Sequence, residues 1–154
     1  MRLNLGRRPA GAQAIASAPG FTVVELLVAA AIVAVLAGIA LPTYADYVRR
    51  ARIVDAIQRM AEMRVKNEQY FLDYRTYRKA AGCGADDQYS DHFDIVCTAA
   101  TATRYEIRAR GRNAMSDFEY AVDQDNAKET TRLPRGWSGA NARCWVVRRN
   151  GSCD

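Results

Sequence analysis

An uninterrupted apolar run lies in the first third of the chain, and the second half carries short alternating patterns. Leu26–Leu41 contains sixteen residues without a charge, and the single charged side chain from Phe21 to Ala45 is Glu25. A helix crosses a bilayer with about 20 apolar residues, so the pattern predicts a transmembrane helix over residues 21–45. A carboxylate at membrane depth costs about 2.5–3.5 kcal/mol on insertion scales, which indicates that Glu25 has a partner and a function.

Beyond Pro42, apolar residues recur at helical spacing and predict an amphipathic continuation of the same helix over residues 46–74. A stripe of this kind is typical of a helix that packs on a sheet. The arginines of 49–52 leave three interpretations open: a lipid-headgroup anchor, a solvated face, or a contact between subunits. The predicted stripe consists of Ile53, Val54, Ile57, Met60, Ala61, Val65, Phe71 and Leu72.

Residues 75–154 hold the strand patterns and turn signals, and we expect them to form a globular head. Apolar and polar residues alternate over His92–Thr98, Arg104–Arg110 and Phe118–Asp123, and a short fourth strand is predicted over Glu129–Leu133. The short, turn-forming connections favour antiparallel pairing. Because about 80 residues bury only a small core alone, we expect the sheet to pack on the helix stripe. The predicted fold class is therefore α+β, with a long N-terminal helix packed on a small antiparallel β-sheet.

The first 20 residues form a basic leader, which contains Arg2, Arg7 and Arg8 and no acid. A secretory signal places its apolar core before the cleavage site, whereas here the apolar run follows the leader. Basic residues before the run predict a single-pass, N-in orientation. The simplest alternative is a plain signal anchor in which Glu25 has no function.

The stretch Gly20-Phe21-Thr22-Val23-Val24-Glu25-Leu26, between a basic leader and an apolar run, resembles the signal of type IV pilins and pseudopilins. The resemblance implies that a prepilin peptidase cuts between Gly20 and Phe21 and methylates the new amine of Phe21. It also implies that Glu25 of an incoming subunit pairs with the N-terminus of another subunit. An α-amine has a pKa of about 7.7–8.0, so the pair attracts strongly once both groups leave water.

Gly38 and Pro42 mark a soft segment near the end of the apolar run. Proline removes a helical hydrogen bond, and glycine weakens a helix by about 1 kcal/mol relative to alanine. The pilin resemblance implies that 38–42 loses helix on assembly. The alternative is a simple kink in a lipid-facing helix.

The four cysteines all lie in the predicted head, and four cysteines allow three pairings. We expect Cys83–Cys97 and Cys144–Cys153, which close two local loops, and the second matches the C-terminal loop of the pilin family. Structural disulfides are consistent with export. The spacing does not favour zinc, because there is no CxxC and the single histidine, His92, is near only Cys97.

No enzymatic motif stands out, and we expect neither catalysis nor a cofactor. A histidine beside an aspartate, as in Asp91-His92, does not make a triad and is typical of a polar loop. Asp86-Asp87 lacks the spaced ladder of oxygen ligands of a calcium loop, so no metal site is predicted.

The charge raises a nucleic-acid alternative. The full chain has a net charge of +5, and removal of the three leader arginines leaves +2. Arginines interleaved with aromatic residues are able to bind a polyanion, whereas a cationic subunit interface is the simpler interpretation of a nearly neutral protein. The C-terminal set consists of Arg132, Arg135, Trp137, Arg143, Trp145, Arg148 and Arg149.

Leader, helix, sheet and terminal cysteine loop together are similar to a minor pilin of the PilE type. That resemblance implies a subunit stored in the inner membrane and then assembled into an extracellular pilus for adhesion and twitching motility. The implied partners are other pilin subunits, the prepilin peptidase and the assembly machinery. A major pilin, a type II secretion pseudopilin and a DNA-binding competence pilin remain as alternatives.

Overall fold

The computed structural model describes residues 20–80 and 82–153, so the predicted leader, apart from Gly20, lies outside the described residues. The described residues divide into two compact units, with the boundary between Ile39 and Ala40. Helix α1, Val23–Tyr74, contributes its first part to one unit and the remainder to the other. The helix begins at Val23, two residues after the start that the apolar pattern predicts, and it ends at Tyr74.

Among residues 75–80 and 82–153, seven strands follow the helix: β1 (Arg78–Lys79), β2 (Gly82–Cys83), β3 (Gln88–Tyr89), β4 (Phe93–Ala100), β5 (Tyr105–Gly111), β6 (Glu119–Asp123) and β7 (Lys128–Arg132). A short 3-10 turn, Asn113–Met115, lies between β5 and β6. The first two strands form a hairpin, and the other five form an antiparallel sheet in the order β3-β4-β5-β6-β7. The α+β fold with a helix and an antiparallel sheet is confirmed.

The inner face of the sheet carries the alternate residues that the sequence pattern assigns to it. Ile95 pairs with Ala109, and Ile107 pairs with Val122. Successive side chains of a strand point to opposite faces, so these residues share one face. They join the helix in a single core, which includes Phe93, Ile95, Tyr105, Ile107, Tyr120, Val122, Ile53, Ile57, Met60 and Met63.

The buried stripe of the helix differs in part from the predicted one. Ala56, Met63 and Asn67 are buried, whereas Ala61, Val65 and Leu72 are exposed. At about 100° per residue, the three exposed positions lie roughly 80–120° around the helix from Ile53. The prediction merged a buried stripe with a neighbouring exposed apolar stripe.

The segment between the helix and β4 contains structure that the turn signals did not predict. The β1–β2 hairpin is joined to β4 by a disulfide between Cys83 and Cys97, whose Cα atoms are 6.0 Å apart. The buried side chain of Asn67 accepts a hydrogen bond from the Ala85 N–H at 2.7 Å. Gly84 lies so close to the helix that an added Cβ would approach Tyr70 Cβ to 2.4 Å. These contacts fix the segment against the helix.

The C-terminal loop covers the β7 edge of the sheet. Cys144 is bonded to Cys153, with Cα atoms 5.9 Å apart. The buried Thr130 hydroxyl donates to the Cys144 carbonyl at 2.6 Å and accepts from the Val146 N–H at 2.9 Å. The Tyr120 hydroxyl also donates to the Val146 carbonyl, at 2.9 Å. A covered edge does not offer free backbone groups to another strand.

Candidate functional site

The start of the helix combines a cap and an acidic first turn. The Glu25 N–H donates to the Thr22 hydroxyl at 3.2 Å, and the Leu26 N–H donates to the Thr22 carbonyl at 3.1 Å. Thr22 is therefore the N-cap, and Thr22-x-x-Glu25 has the spacing of a capping box. A carboxylate in the first turn also interacts favourably with the helix dipole. Glu25 thus helps to begin the helix, a role that the sequence analysis missed although the spacing was readable.

Helix residues 23–39 expose nearly all of their apolar side chains. Val23 is 75% exposed, Leu27 64% and Leu36 61%. By length and composition the helix is sufficient to span a membrane. Apolar surface of this extent requires lipid or other protein chains to cover it. Gly20, Phe21 and Glu25 are exposed at the start of this segment.

A second apolar stripe follows the helix through the head. Tyr47 is 72% exposed, Val65 56% and Leu72 66%. Spacings of seven and four residues place them on one side of the helix with Val54 and Ala61. Because the sheet covers a different side, this second stripe is available to a neighbouring chain.

The outer face of the sheet carries a network of arginines and glutamates. Arg108 Nε donates to Glu106 Oε1 at 2.6 Å, and Arg108 Nη1 donates to Glu119 Oε1 at 3.1 Å. The hydrogen bond from Arg108 lowers the pKa of Glu106, and the bond to Glu106 raises the pKa of Arg108. Arg110 and Arg132 lie farther from Glu119, at 3.7 and 3.9 Å.

A polar cluster joins the helix to the sheet. The Tyr77 and Tyr105 hydroxyls donate to the two oxygens of Glu68 at 2.9 and 3.0 Å. Burial, together with the hydrogen bond to Glu68, raises the pKa of Tyr77 to about 12. The same causes raise the pKa of Tyr105 above its usual range. The cluster stabilises the head rather than forming an open site.

The C-terminal basic set does not form the surface that its sequence suggests. Arg132 lies near Glu119, and Arg149 lies 4.0 Å from Asp46 on the helix. Arg143 lines a different groove, beside β6 and β7. Trp145 is 4% exposed, and its Nε1 donates to the Ala121 carbonyl at 3.0 Å. Its ring is therefore part of the core and is not available for stacking on a ligand.

The other candidate residues have structural contacts. Asp86 pairs with Lys79 at 3.1 Å, and Asp87 accepts from the Cys97 N–H at 2.9 Å. The backbone carbonyl of His92 accepts from the Arg112 N–H at 2.8 Å. Within residues 20–80 and 82–153, no group of three or more His, Cys, Asp or Glu side chains is arranged to hold a metal ion.

Known proteins are similar to both parts of the chain. Residues 16–41 match the prokaryotic N-terminal methylation motif. Residues 42–119 match the family profile described as type IV minor pilin ComP, DNA uptake sequence receptor. In structure, the chain is similar to the non-core minor pilin PilV of Neisseria meningitidis, with a TM-score of 0.52 and 10% identity over 62% of this chain and 99% of that one.

Curated relatives match part of the chain at moderate sequence identity. A type IV major pilin, PilE1 of Neisseria gonorrhoeae, is 35% identical over 72 residues, which are 47% of this chain and 34% of the relative. A fimbrial protein of Pseudomonas aeruginosa is 33% identical over 82 residues, 53% of this chain and 50% of the relative. The alignments thus span about a third to a half of the relatives' length.

The methylation motif, the long helix and the antiparallel head define a type IV pilin. The chain belongs to the type IV minor pilin ComP family, whose profile covers half of it. Members of the pilin class are structural subunits that assemble into a pilus with other pilins, and the N-terminal motif supports processing by a peptidase.

Proposed function

We propose that this chain is a minor subunit of a type IV pilus, cut after Gly20 and N-methylated on Phe21. The observation that carries the proposal is the exposed apolar surface of helix residues 23–39, which follows a capped helix start. In the membrane, lipid covers this surface. In the fibre, helices of other subunits replace the lipid, and the second stripe of Tyr47, Val65 and Leu72 extends the contact.

Glu25 recruits the subunit in this proposal. Cleavage creates an amine on Phe21, and an unperturbed α-amine, with a pKa of about 7.7–8.0, is largely cationic at neutral pH. Away from water, the carboxylate of Glu25 attracts the amine of another subunit strongly. The capping role of Thr22 holds Glu25 in the first helical turn, where it is within reach of an N-terminus that docks there.

The remaining parts of the chain have supporting roles. Residues 21–45 form the membrane and fibre-core segment, 46–74 continue the helix, and 75–154 form the exposed head. Gly38 and Pro42 allow the helix to loosen on assembly, and the two disulfides stiffen the head. The stored form is a single-pass, N-in protein of the inner membrane, and the assembled form is extracellular. The prepilin peptidase and the assembly machinery are its partners on the way.

Intact mass and N-terminal sequencing of the protein from sheared fibres and from membranes test this proposal. We expect a chain that begins at N-methyl-Phe21 in the fibres. Glu25→Ala is expected to remain in the membrane, whereas Glu62→Ala, which removes an exposed carboxylate from the second part of the helix, enters fibres normally. A chain that still begins at Met1 and never enters fibres would contradict the proposal.

The same fractions separate the alternatives. A major pilin would be the most abundant protein in the sheared fibres. A minor pilin would be present there in a much smaller amount. A type II secretion pseudopilin would be required for protein export rather than for surface pili. We therefore expect a substoichiometric band in fibres and normal export in a deletion strain.

A second candidate function is DNA binding by the head. The family profile is described as a DNA uptake sequence receptor, and the chain without its leader keeps a net charge of +2. Phosphate contacts supply most non-specific affinity and make it salt-dependent. The test is the affinity of the full chain, in a neutral detergent, for a labelled duplex over a range of salt concentrations. Absence of binding at low salt would exclude this function and leave the pilus subunit proposal intact.

A further inference from the structure

The outer face of the sheet places two arginines on either side of one glutamate. Arg110 of β5 pairs in register with Glu119 of β6, and Glu119 pairs with Arg132 of β7. Because neighbouring strands are about 4.8 Å apart, the Cα atoms of the two arginines are separated by roughly 10 Å. All three side chains point away from the core, since Ala109 and Tyr120, their neighbours along the strands, point into it.

Glu119 does not satisfy these two arginines. It is 14% exposed and already accepts a hydrogen bond from Arg108 at 3.1 Å. Arg110 and Arg132 approach it only to 3.7 and 3.9 Å, beyond hydrogen-bond distance, and their side chains are 56% and 62% exposed. Each guanidinium has five N–H donors, so both retain donors that face solvent.

The arginines here outnumber the carboxylates that hold them. Arg108 is paired with Glu106, at 2.6 Å, and Asp94, which lies opposite Arg110 on β4, is bound by Arg112 at 3.2 Å. Glu119 is therefore shared between Arg110 and Arg132. The arginines line an open groove together with Ser116, whose exposed hydroxyl is a further donor. Planar guanidinium groups are suited to binding the oxygens of a phosphate.

We propose that this groove, with Arg110 and Arg132 as its ligands, binds phosphate groups of the DNA backbone. The proposal rests on the second function given above, DNA binding by the head. Phe118, the aromatic residue that lines the groove, is 2% exposed and cannot stack on a base. The site therefore holds the backbone and does not read sequence, because phosphate contacts position a protein without distinguishing bases. Any preference for a particular sequence arises elsewhere on the head.

The test compares two double variants of the full chain in a neutral detergent, with labelled duplexes of two unrelated sequences. Arg110→Gln with Arg132→Gln removes two phosphate contacts, so the slope of log affinity against log salt is expected to fall by about 2, and binding at 0.1 M salt by more than about tenfold. The ratio of affinities for the two duplexes stays unchanged. Arg78→Gln with Arg104→Gln removes the same charge from exposed positions outside the groove and is expected to keep the slope.

A further variant is expected to increase the affinity for DNA, an effect that damage to the fold would not produce. Glu119→Gln removes the competing carboxylate and is expected to tighten DNA binding. Glu129→Gln, which changes the net charge equally at an exposed position on the next strand, is expected to have a smaller effect. Thermal unfolding of each variant shows that the head is intact.

The possible outcomes distinguish a wrong assignment of the phosphate site from an absence of DNA binding. If the wild type binds neither duplex, DNA binding and this site are both excluded. If the wild type binds and the two double variants keep the same slope, the groove is not the phosphate site, although DNA binding stands. A double variant that loses affinity for vesicles of anionic lipid while it keeps DNA affinity would assign the groove to a lipid headgroup and overturn the proposal.

Discussion

The two compact units differ in the exposure of the apolar side chains on their helix. In the first, Val23, Leu27 and Leu36 are all more than half exposed. In the second, Ile53, Met60 and Met63 of the same helix are fully buried against the sheet. One helix thus carries an apolar segment that needs an external partner and another segment whose partner is part of the chain.

This difference separates the contacts that serve folding from the contacts that serve assembly. Residues that pack on the sheet stabilise the head by burial, which contributes roughly 1.5–3 kcal/mol for a large apolar side chain. Residues 23–39 are not buried within the chain, so they contribute no comparable burial free energy to folding. Their apolar side chains are buried only in lipid or in a fibre. Mutations in the two segments are therefore expected to produce different defects.

The largest expected effect contrasts Met60 with Val65. Met60→Lys places an unpaired charge in the core and is expected to destabilise the head by about 3–5 kcal/mol or to prevent its folding. Val65→Lys changes an exposed position of the second stripe, so it is expected to leave the head folded and to reduce incorporation into fibres. Thermal unfolding and the amount in sheared fibres measure the two effects. A folded Met60→Lys head, or a Val65→Lys chain that unfolds, would contradict this division between folding and assembly contacts.

The second-largest expected effect is the loss of stability when a disulfide is removed. The two disulfides close loops of 14 and 9 residues in sequence separation, and the chain-entropy estimate for loops of this size is about 3 kcal/mol each. Replacement of Cys144 and Cys153 by serine is therefore expected to lower the free energy of unfolding of the head by about that amount. Circular dichroism at increasing denaturant concentration measures it. The helix over residues 23–39 should be unaffected, because no cysteine lies in that segment.

A third test replaces one glycine in each unit by alanine. The two substitutions are expected to change stability in opposite directions. A Cβ on Gly111 would lie 1.7 Å from the carbonyl oxygen of Met115, so Gly111→Ala forces a backbone shift and is expected to cost about 1–3 kcal/mol. A Cβ on Gly38 meets nothing within 4 Å, so Gly38→Ala is expected to stabilise its helix by about 1 kcal/mol. If Gly38 provides flexibility for assembly, the stabilised variant enters fibres less well. Hydrogen exchange and fibre yield together decide this point.

Much of this architecture was readable from the sequence, for identifiable reasons. The apolar run and the alternating segments have strong periods, so α1, β4, β5 and β6 follow from them. The strands of residues 78–89 were missed because each is two residues long, too short for a period to show. The burial of Trp145 depends on the path of the C-terminal loop over Ala121, which local sequence does not encode.

The two candidate sites differ in how far the sequence alone predicts them. Glu25 stands out because it is the single charge in an apolar segment, and its relation to Thr22 is a local spacing. The row of Arg110, Glu119 and Arg132 was not predicted, because it requires the register of three strands. In the sequence, Arg132 belongs with the C-terminal arginines, but in the structure it lies near Glu119, whereas Arg149 lies near Asp46.

The smallest expected effect at neutral pH concerns the tyrosines that bind Glu68. The pKa of Tyr77 is about 12 in the folded head, against about 10 in an unfolded chain. Above pH 10 the unfolded chain loses this proton first, so the stability that is fully present below pH 10 is lost as the pH rises towards 12. The slope is up to about 1.4 kcal/mol per pH unit for each tyrosine that keeps its proton only when folded.

Tyr77→Phe separates this linkage from general alkaline damage. The variant loses the hydrogen bond to Glu68, which contributes about 1 kcal/mol, but it also removes one group whose ionisation favours unfolding. Its stability is therefore expected to decline less steeply between pH 10 and 12 than that of the wild type. Tyr89→Phe, at a 66% exposed position, is the matched control and should retain the wild-type slope. Denaturation curves at several pH values measure the slopes, and equal slopes for Tyr77→Phe and the wild type would mean that the cluster on Glu68 does not couple the head's stability to pH.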